Sequence, residues 1–260
     1  MGKRQSKVSD KISPDQCSQH FQTVFRTSEP RDDLPTSNTD GADAMFDELN
    51  VPITDEEVHV AISSLKNRKA CGHDNVTAEM LKASGNIAVT FFTQLFNKIF
   101  SEGVYPEQWS RSVIVPLFKK GDRDIPNNYR GISLLSVASK CYTTVLRNRL
   151  TKWMDDHEKK FEAQAGFRKG YSTIDHIYTL SATTEKYLSR TGGKLYVAFI
   201  DLGKAFYSVD RASLFLTLAK AGLSGPFLNV IKAVVSCVRV HNKVADFFII
   251  VPFVSNRGVF

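Results

Sequence analysis

The chain has 260 residues, 42% of them hydrophobic, and a formal net charge of +7. This length and apolar content exclude a wholly disordered chain and suit one large domain or two small ones. The cationic excess favours a polyanion such as nucleic acid, or an anionic membrane face. Four scattered cysteines (Cys17, Cys71, Cys141 and Cys237) show no CxxC or Cys/His spacing, which argues against a zinc site or a disulfide framework. A reducing, intracellular compartment, nuclear or cytoplasmic, is the expectation. No apolar run approaches the ~20 residues of a membrane span, and the start lacks the apolar core of a signal peptide, so no membrane partner is expected.

Residues 1–50 read as a linker, partly disordered. Within it Asp15 to Arg26 places Cys17, Phe21, Val24 and Phe25 near one helical face, and Glu29 to Asp43 is rich in Pro, Asp, Ser, Thr and Gly. Organised structure begins at Ile53. Thr54 and Glu57 have the spacing of a capping box, and Val58, Ala61, Ile62 and Leu65 follow at helical period. Cys71-Gly-His-Asp74 breaks that helix; a second helix covers Thr77 to Ala83, and a third runs from Ile87 to Ser101. Its Phe91, Phe92, Leu95, Phe96, Ile99 and Phe100 form a wide apolar face, expected as core. Pro106 to Trp109 reads as a turn with an aromatic plug. Ser112 to Phe118 reads as a strand, with Pro116 indicating an edge or irregularity. Lys119-Lys120-Gly121-Asp122 is then a basic strand tip, suited to a phosphate or to a solvated turn. Arg130 follows between a turn and an apolar run; its donor fork suits phosphate oxygens, and the alternative is an ordinary surface arginine.

Ser136 to Met154 reads as a long helix made basic by Arg147 and Arg149. Gln164 to Thr173 is a Gly-containing basic loop in which Phe167 and Tyr171 flank Arg168 and Lys169, a pattern that suits a nucleic-acid backbone. Thr173 is the expected cap of a helix from Ile174 to Ser189. Beyond Gly192-Gly193, Leu195 to Ile200 is β-rich and reads as a buried strand that delivers Asp201 at its end. On local grounds Asp201 is either a helix N-cap or a carboxylate placed for a hard cation such as Mg²⁺. Asp210 or Ser213 caps a helix through Lys220, another runs from Pro226 to about Ser236, and Cys237–Asn242 with Asp246–Val251 could pair as a hairpin.

Taken together, these stretches resemble the reverse transcriptase domain of non-LTR (LINE-type) retrotransposons, over roughly Ile53 to Phe260. Leu65 to Asp74 is similar to the family's K-x-x-K-A-x-G-x-D block, Pro106 to Trp109 to its P-x-x-W, and Ile114–Asp122 and Asn128–Leu134 to its finger motifs. Gln164 to Thr173 is similar to Q-x-G-F-R-x-G-x-S-T, and Phe199-Ile-Asp-Leu-Gly-Lys-Ala-Phe206 to the first catalytic motif of the palm. The ordered series, more than any one pattern, carries the resemblance.

The resemblance implies an α+β, helix-rich fold: a partial right-hand polymerase with fingers over 51–193, an incomplete palm over 194–260 and no thumb. It implies Asp201 as the first metal-binding aspartate, catalytic, with Mg²⁺ and the Leu202 carbonyl beside it. Lys120 and Arg130 would hold the triphosphate of a dNTP, with Lys119 a register alternative, and Phe206 would lie under the sugar. Gln164, Gly166, Phe167, Arg168, Ser172 and Thr173 would follow the RNA template, with a DNA primer as second strand. Two departures stand out. Tyr207 replaces the family's usual Asp, and Arg257 to Phe260 resembles the opening of the next palm motif, with the paired-aspartate motif expected further on. A truncated enzyme, inactive alone, is therefore the expectation. Its alternative is a non-catalytic, basic nucleic-acid-binding module using Lys66, Arg68, Lys69, Arg168 and Lys169.

Overall fold

The computed structural model describes residues 9, 11–25, 47–161, 163–202 and 209–236. The first helix, α1 (Pro14–Phe25), starts at a reciprocal cap: Ser13 N–H donates to Gln16 Oε1 at 3.0 Å, and Gln16 N–H to Ser13 Oγ at 3.2 Å. The capping box read from Thr54 and Glu57 is present at the start of α2 (Asp55–Ser64). The short α3 (Ala78–Ala83) is capped by Thr77, and α4 (Gly85–Glu102) follows. Phe96, Ile99 and Phe100 of α4 are buried as expected, and Phe92 and Leu95 pack at the margin. Phe91 departs from the expectation: its ring is exposed, because the six apolar positions span more of the helix than α2 and its other neighbours cover.

Pro106 opens a short 3₁₀ turn (Glu107–Ser110) that seats Trp109 against Phe96, Tyr105 and Tyr142, with ring centroids 5.8–6.0 Å apart. Strand β1 (Ser112–Phe118) then pairs antiparallel with β2 (Tyr129–Leu135), Ser112 opposite Leu135 and Phe118 opposite Tyr129. These two strands make the only sheet among the described residues. Because side chains alternate across a strand, Ile114, Phe118 and Tyr129 share one face. That face meets Ile12, Cys17, Phe21 and Val24, so α1 covers the hairpin in a small apolar cluster of its own.

The main core lies among α2, α4, α5 (Val137–Asp156) and α8 (Gly225–Ser236). α8 supplies Phe227, Val230, Ile231 and Val234, so residues on both sides of position 193 share one core. The helix α5 contributes Cys141, Tyr142, Val145 and Leu150, and burial pushes the Cys141 thiol up to about 12.

Arg149 does not add to a basic helix surface. It is 9% exposed, and its guanidinium grips both Glu57 oxygens (2.5 and 2.7 Å) and the carbonyls of Val51 (2.6 Å), Pro52 (2.8 Å) and Leu49 (3.4 Å). A buried cation of this kind persists only where its donors are matched by acceptors, and segment 49–57 supplies them. The same segment ties in two more helices. Asn97 of α4 accepts from Ile53 N–H at 2.7 Å and donates to its carbonyl at 2.8 Å, while Asn50 Oδ1 accepts from Phe227 N–H in the first turn of α8 at 3.0 Å.

After α5, α6 (Thr173–Leu188) has no buried residue. The expected strand over 195–200 is not formed. Residues 193–202 carry no regular structure, and Phe199 and Ile200 are 83% and 86% exposed. The β-rich composition allows an extended backbone, but a strand exists only through a ladder, and no described segment pairs with this one. Asp210 caps α7 (Arg211–Lys220), accepting from Ala212 and Ser213 N–H. The hairpin expected over 237–251 lies outside the described residues.

Candidate functional site

The tip of the β1–β2 hairpin is built around a glycine. Gly121 has φ +89°, and a Cβ on it would lie 2.8 Å from the Asn128 amide nitrogen, so only glycine lets the turn close on that side chain. Asn128 Nδ2 donates to the Asp122 carbonyl at 2.8 Å, and Lys119 N–H donates to the Asn128 carbonyl at 2.9 Å. Asp124 N–H donates to Asp122 Oδ1 at 2.9 Å, and Tyr129 Oη donates to the Arg123 carbonyl at 2.8 Å. This framework leaves Lys119 and Lys120 exposed at the tip. Arg130 is exposed on β2 opposite Leu117, on the hairpin face away from α1, since its neighbour Tyr129 points into the α1 cluster. The hairpin therefore brings Lys120 and Arg130 onto one element. Sequence reading missed Asn128, Asp124 and Tyr129 as its supports. An Asn six or seven residues past a Gly-Asp pair is the only local signal, and Asp124 binds residues more than a hundred positions away.

A second exposed unit is the 164–173 loop. Gln164, Gly166 and Phe167 are exposed, and Phe167 sits at φ +63°. Arg168 donates to the Phe161 carbonyl at 3.0 Å and lies over the Tyr171 ring, 4.3 Å from its centroid. That cation–aromatic pair is preformed in solvent, where it presents one charged and one flat surface. The cap of α6 is Ser172 rather than Thr173. Its Oγ accepts from Ile174 N–H at 3.2 Å and its own N–H donates to Asp175 at 2.6 Å, leaving Thr173 as the first helical residue. The register differs by one because Asp175 completes a reciprocal cap with Ser172.

The block Leu65–Asp74 is held by close packing. A Cβ on Gly72 would meet Ser136 N at 2.6 Å and Leu135 C at 2.7 Å, so this loop lies directly on the β2–α5 junction. Lys140 of α5 points to the same region. Burial lowers its pKa, and the neighbouring Asp74 partly offsets that. Lys66 and Arg68 are exposed.

Asp201 and Leu202 are both exposed, on the irregular stretch that follows α6, and Phe206 lies outside the described residues. Among the described residues no group of three or more His, Cys, Asp or Glu side chains could hold a metal. Beyond Asp201 the sequence contains two further acids, Asp210 and Asp246. Asp210 is the α7 cap, and Asp246 lies outside the described residues. The Asp155-Asp156 pair ends α5, where Asp155 binds Lys160. A single carboxylate of this kind fits one Mg²⁺ completed by a carbonyl and substrate phosphates. No helix among the described residues is long and apolar enough to cross a membrane.

Residues 118–252, which include most of these stretches, match the family described as Reverse transcriptase (RNA-dependent DNA polymerase). The chain is 33% identical over 215 residues to a probable RNA-directed DNA polymerase from transposon BS of Drosophila melanogaster, covering 80% of the chain and 23% of that protein. It is 30% identical over 209 residues to the corresponding protein of the X-element of the same species, with 76% and 22% covered. It is also 27% identical over 185 residues to the RNA-directed DNA polymerase from mobile element jockey of Drosophila funebris, with 70% and 20% covered. The chain thus spans less than a quarter of the length of these relatives. A family match across residues 118–252, with these relatives beside it, identifies the chain as a member of the reverse transcriptase family of non-LTR retrotransposons.

Proposed function

We propose that this chain is the part of an RNA-directed DNA polymerase that receives the incoming nucleotide and the template, organised as fingers and the first part of a palm. The observation that carries the reading is the β1–β2 hairpin, which presents Lys120 at its tip and Arg130 on its open face from a rigid framework. Two exposed cations on one element suit a dNTP triphosphate, and the guanidinium adds a planar two-point contact. Gln164 to Thr173 is the template-side surface, where Arg168 and Lys169 meet phosphates and Phe167 and Tyr171 offer faces to bases. Asp201 and the Leu202 carbonyl are the residues that would hold Mg²⁺, which supplies charge neutralisation at the phosphates.

These 260 residues by themselves do not extend a primer. In-line phosphoryl transfer in this chemistry uses two cations held by several acids, and Asp210 is already a helix cap. Binding survives this deficit. The 260-residue chain should bind inorganic tripolyphosphate several-fold more weakly after Lys120→Ala or Arg130→Ala. It should bind single-stranded RNA with an affinity that falls steeply with salt and weakens in Arg168→Ala/Lys169→Ala. Unchanged tripolyphosphate binding in both fingertip variants refutes the nucleotide reading. Primer extension that disappears in Asp201→Ala refutes the inactivity. If RNA binding persists with no tripolyphosphate binding, the chain is a basic nucleic-acid-binding module, a reading that the exposed Arg168–Tyr171 pair favours.

A further inference from the structure

The N-terminal arm is not spent on the main core. Ile12 and Phe21 are buried against Tyr129, Ile114 and Phe118 on the hairpin face opposite Arg130. Polar contacts from the same arm reach the loop that carries Lys120. Ser9 Oγ donates to Asp124 Oδ1, Lys11 Nζ donates to Asp124 Oδ2 at 2.6 Å, and Ser9 N–H donates to Tyr129 Oη at 3.2 Å. Tyr129 Oη passes the connection on, donating to the Arg123 carbonyl inside the loop. Asp124 is also an acid beside the fingertip cations. The Lys11 ammonium, 2.6 Å from Asp124 Oδ2, compensates that charge, and hydrogen bonds from Lys11 and then Ser9 hold the carboxyl below the usual range.

We propose that residues 9 and 11–25 form a positioning strap for the fingertip, in which Phe21 and Lys11, through Tyr129 and Asp124, set the conformation of the 119–128 loop and with it the phosphate grip of Lys120 and Arg130. The inference rests on the reading of those two residues as triphosphate ligands. None of the strap residues touches the phosphate. They act by holding the loop rigid, so that its cations need not be ordered when the polyanion arrives, and by neutralising an acid that would repel it.

The test uses the whole 260-residue chain and two charge-neutral variants, so that long-range electrostatics stay constant. Phe21→Asn removes the apolar anchor, and Tyr129→Phe removes only the hydroxyl between Ser9 and Arg123. Hydrogen exchange is read at the amides of Lys119, Asp124, Ile125 and Asn128, which are donors within the loop. Affinity is read with inorganic tripolyphosphate and, in parallel, with single-stranded RNA. In Phe21→Asn, loop exchange should accelerate at least tenfold and tripolyphosphate affinity should fall about fivefold, with RNA affinity unchanged. Tyr129→Phe should shift both in the same direction by less, and Phe21→Leu should restore both. General destabilisation would lower both affinities together, and that result overturns the proposal. So does released α1 exchange with unchanged loop protection, in either variant. If Lys120→Ala and Arg130→Ala leave tripolyphosphate binding intact, the nucleotide reading fails, and loop exchange alone decides whether the strap orders the fingertip.

Discussion

Replacing Arg149 with methionine separates a structural arginine from a nucleic-acid-binding one. The substitution removes the donors for both Glu57 oxygens and for the carbonyls of Leu49, Val51 and Pro52. Breaking a buried ion pair from one side costs about 3–5 kcal/mol. The Glu57 side chain is 30% exposed, and Val51 and Pro52 are surface residues whose carbonyls can turn to water, so the lower end, about 3 kcal/mol, is expected. For a chain of this size that corresponds to a fall in Tm of about 6–12 °C. Urea unfolding followed by far-UV circular dichroism gives the free energy directly. The double variant Arg149→Met/Glu57→Gln should recover part of the loss, because the uncompensated carboxylate is gone, with a coupling of about 1–3 kcal/mol. Acid provides a second reading. Burial raises the Glu57 pKa, but hydrogen bonds from Arg149 and Thr54 outweigh it and hold the carboxyl below its ordinary value. A group lowered on folding stabilises fully above its unfolded pKa of about 4.3 and loses that contribution as pH falls through the folded value. The stability gap between the wild-type chain and Glu57→Gln should therefore close below about pH 4. If Arg149→Met unfolds within about 0.5 kcal/mol of the wild type and instead weakens RNA binding, Arg149 is a surface cation and the reasoning fails.

Three further outcomes follow from local geometry. Asn50→Ala orphans Phe227 N–H in the first turn of α8 and should cost about 1 kcal/mol by urea titration, with the exchange of α8 amides rising more than that of α2. Gly72→Ala places a methyl 2.6 Å from Ser136 N and 2.7 Å from Leu135 C, backbone atoms that cannot swing aside, and should lower Tm by more than 5 °C, where a tolerant loop would lose less than about 2 °C. Tyr142→Phe should leave stability unchanged or raise it, because Tyr142 Oη is buried with no hydrogen-bond partner among the described residues. A loss above about 1 kcal/mol would show that the hydroxyl is satisfied in solution.

The helical scaffold and the family were legible in the residues because their causes are local. The Thr54–Glu57 box, the Asp210 cap and the strand Ser112–Phe118 all depend on neighbours within a few positions. From the residues alone Lys120 and Arg130 were legible as separate cations: Ser112 to Phe118 reads as a strand with a basic tip, whereas the second strand, which sets Arg130 opposite Leu117, exists through the ladder. The contacts that fix the fold's long-range geometry leave no such trace. Arg149 reads as one more surface cation until segment 49–57 surrounds it, and Asn50 reads as a loop residue until α8 arrives 177 positions later. Leu195 to Ile200 shows the limit from the other side. Its β-rich composition specifies what the backbone tolerates, whereas a strand requires a partner's hydrogen bonds, and only the assembled tertiary structure decides whether those exist.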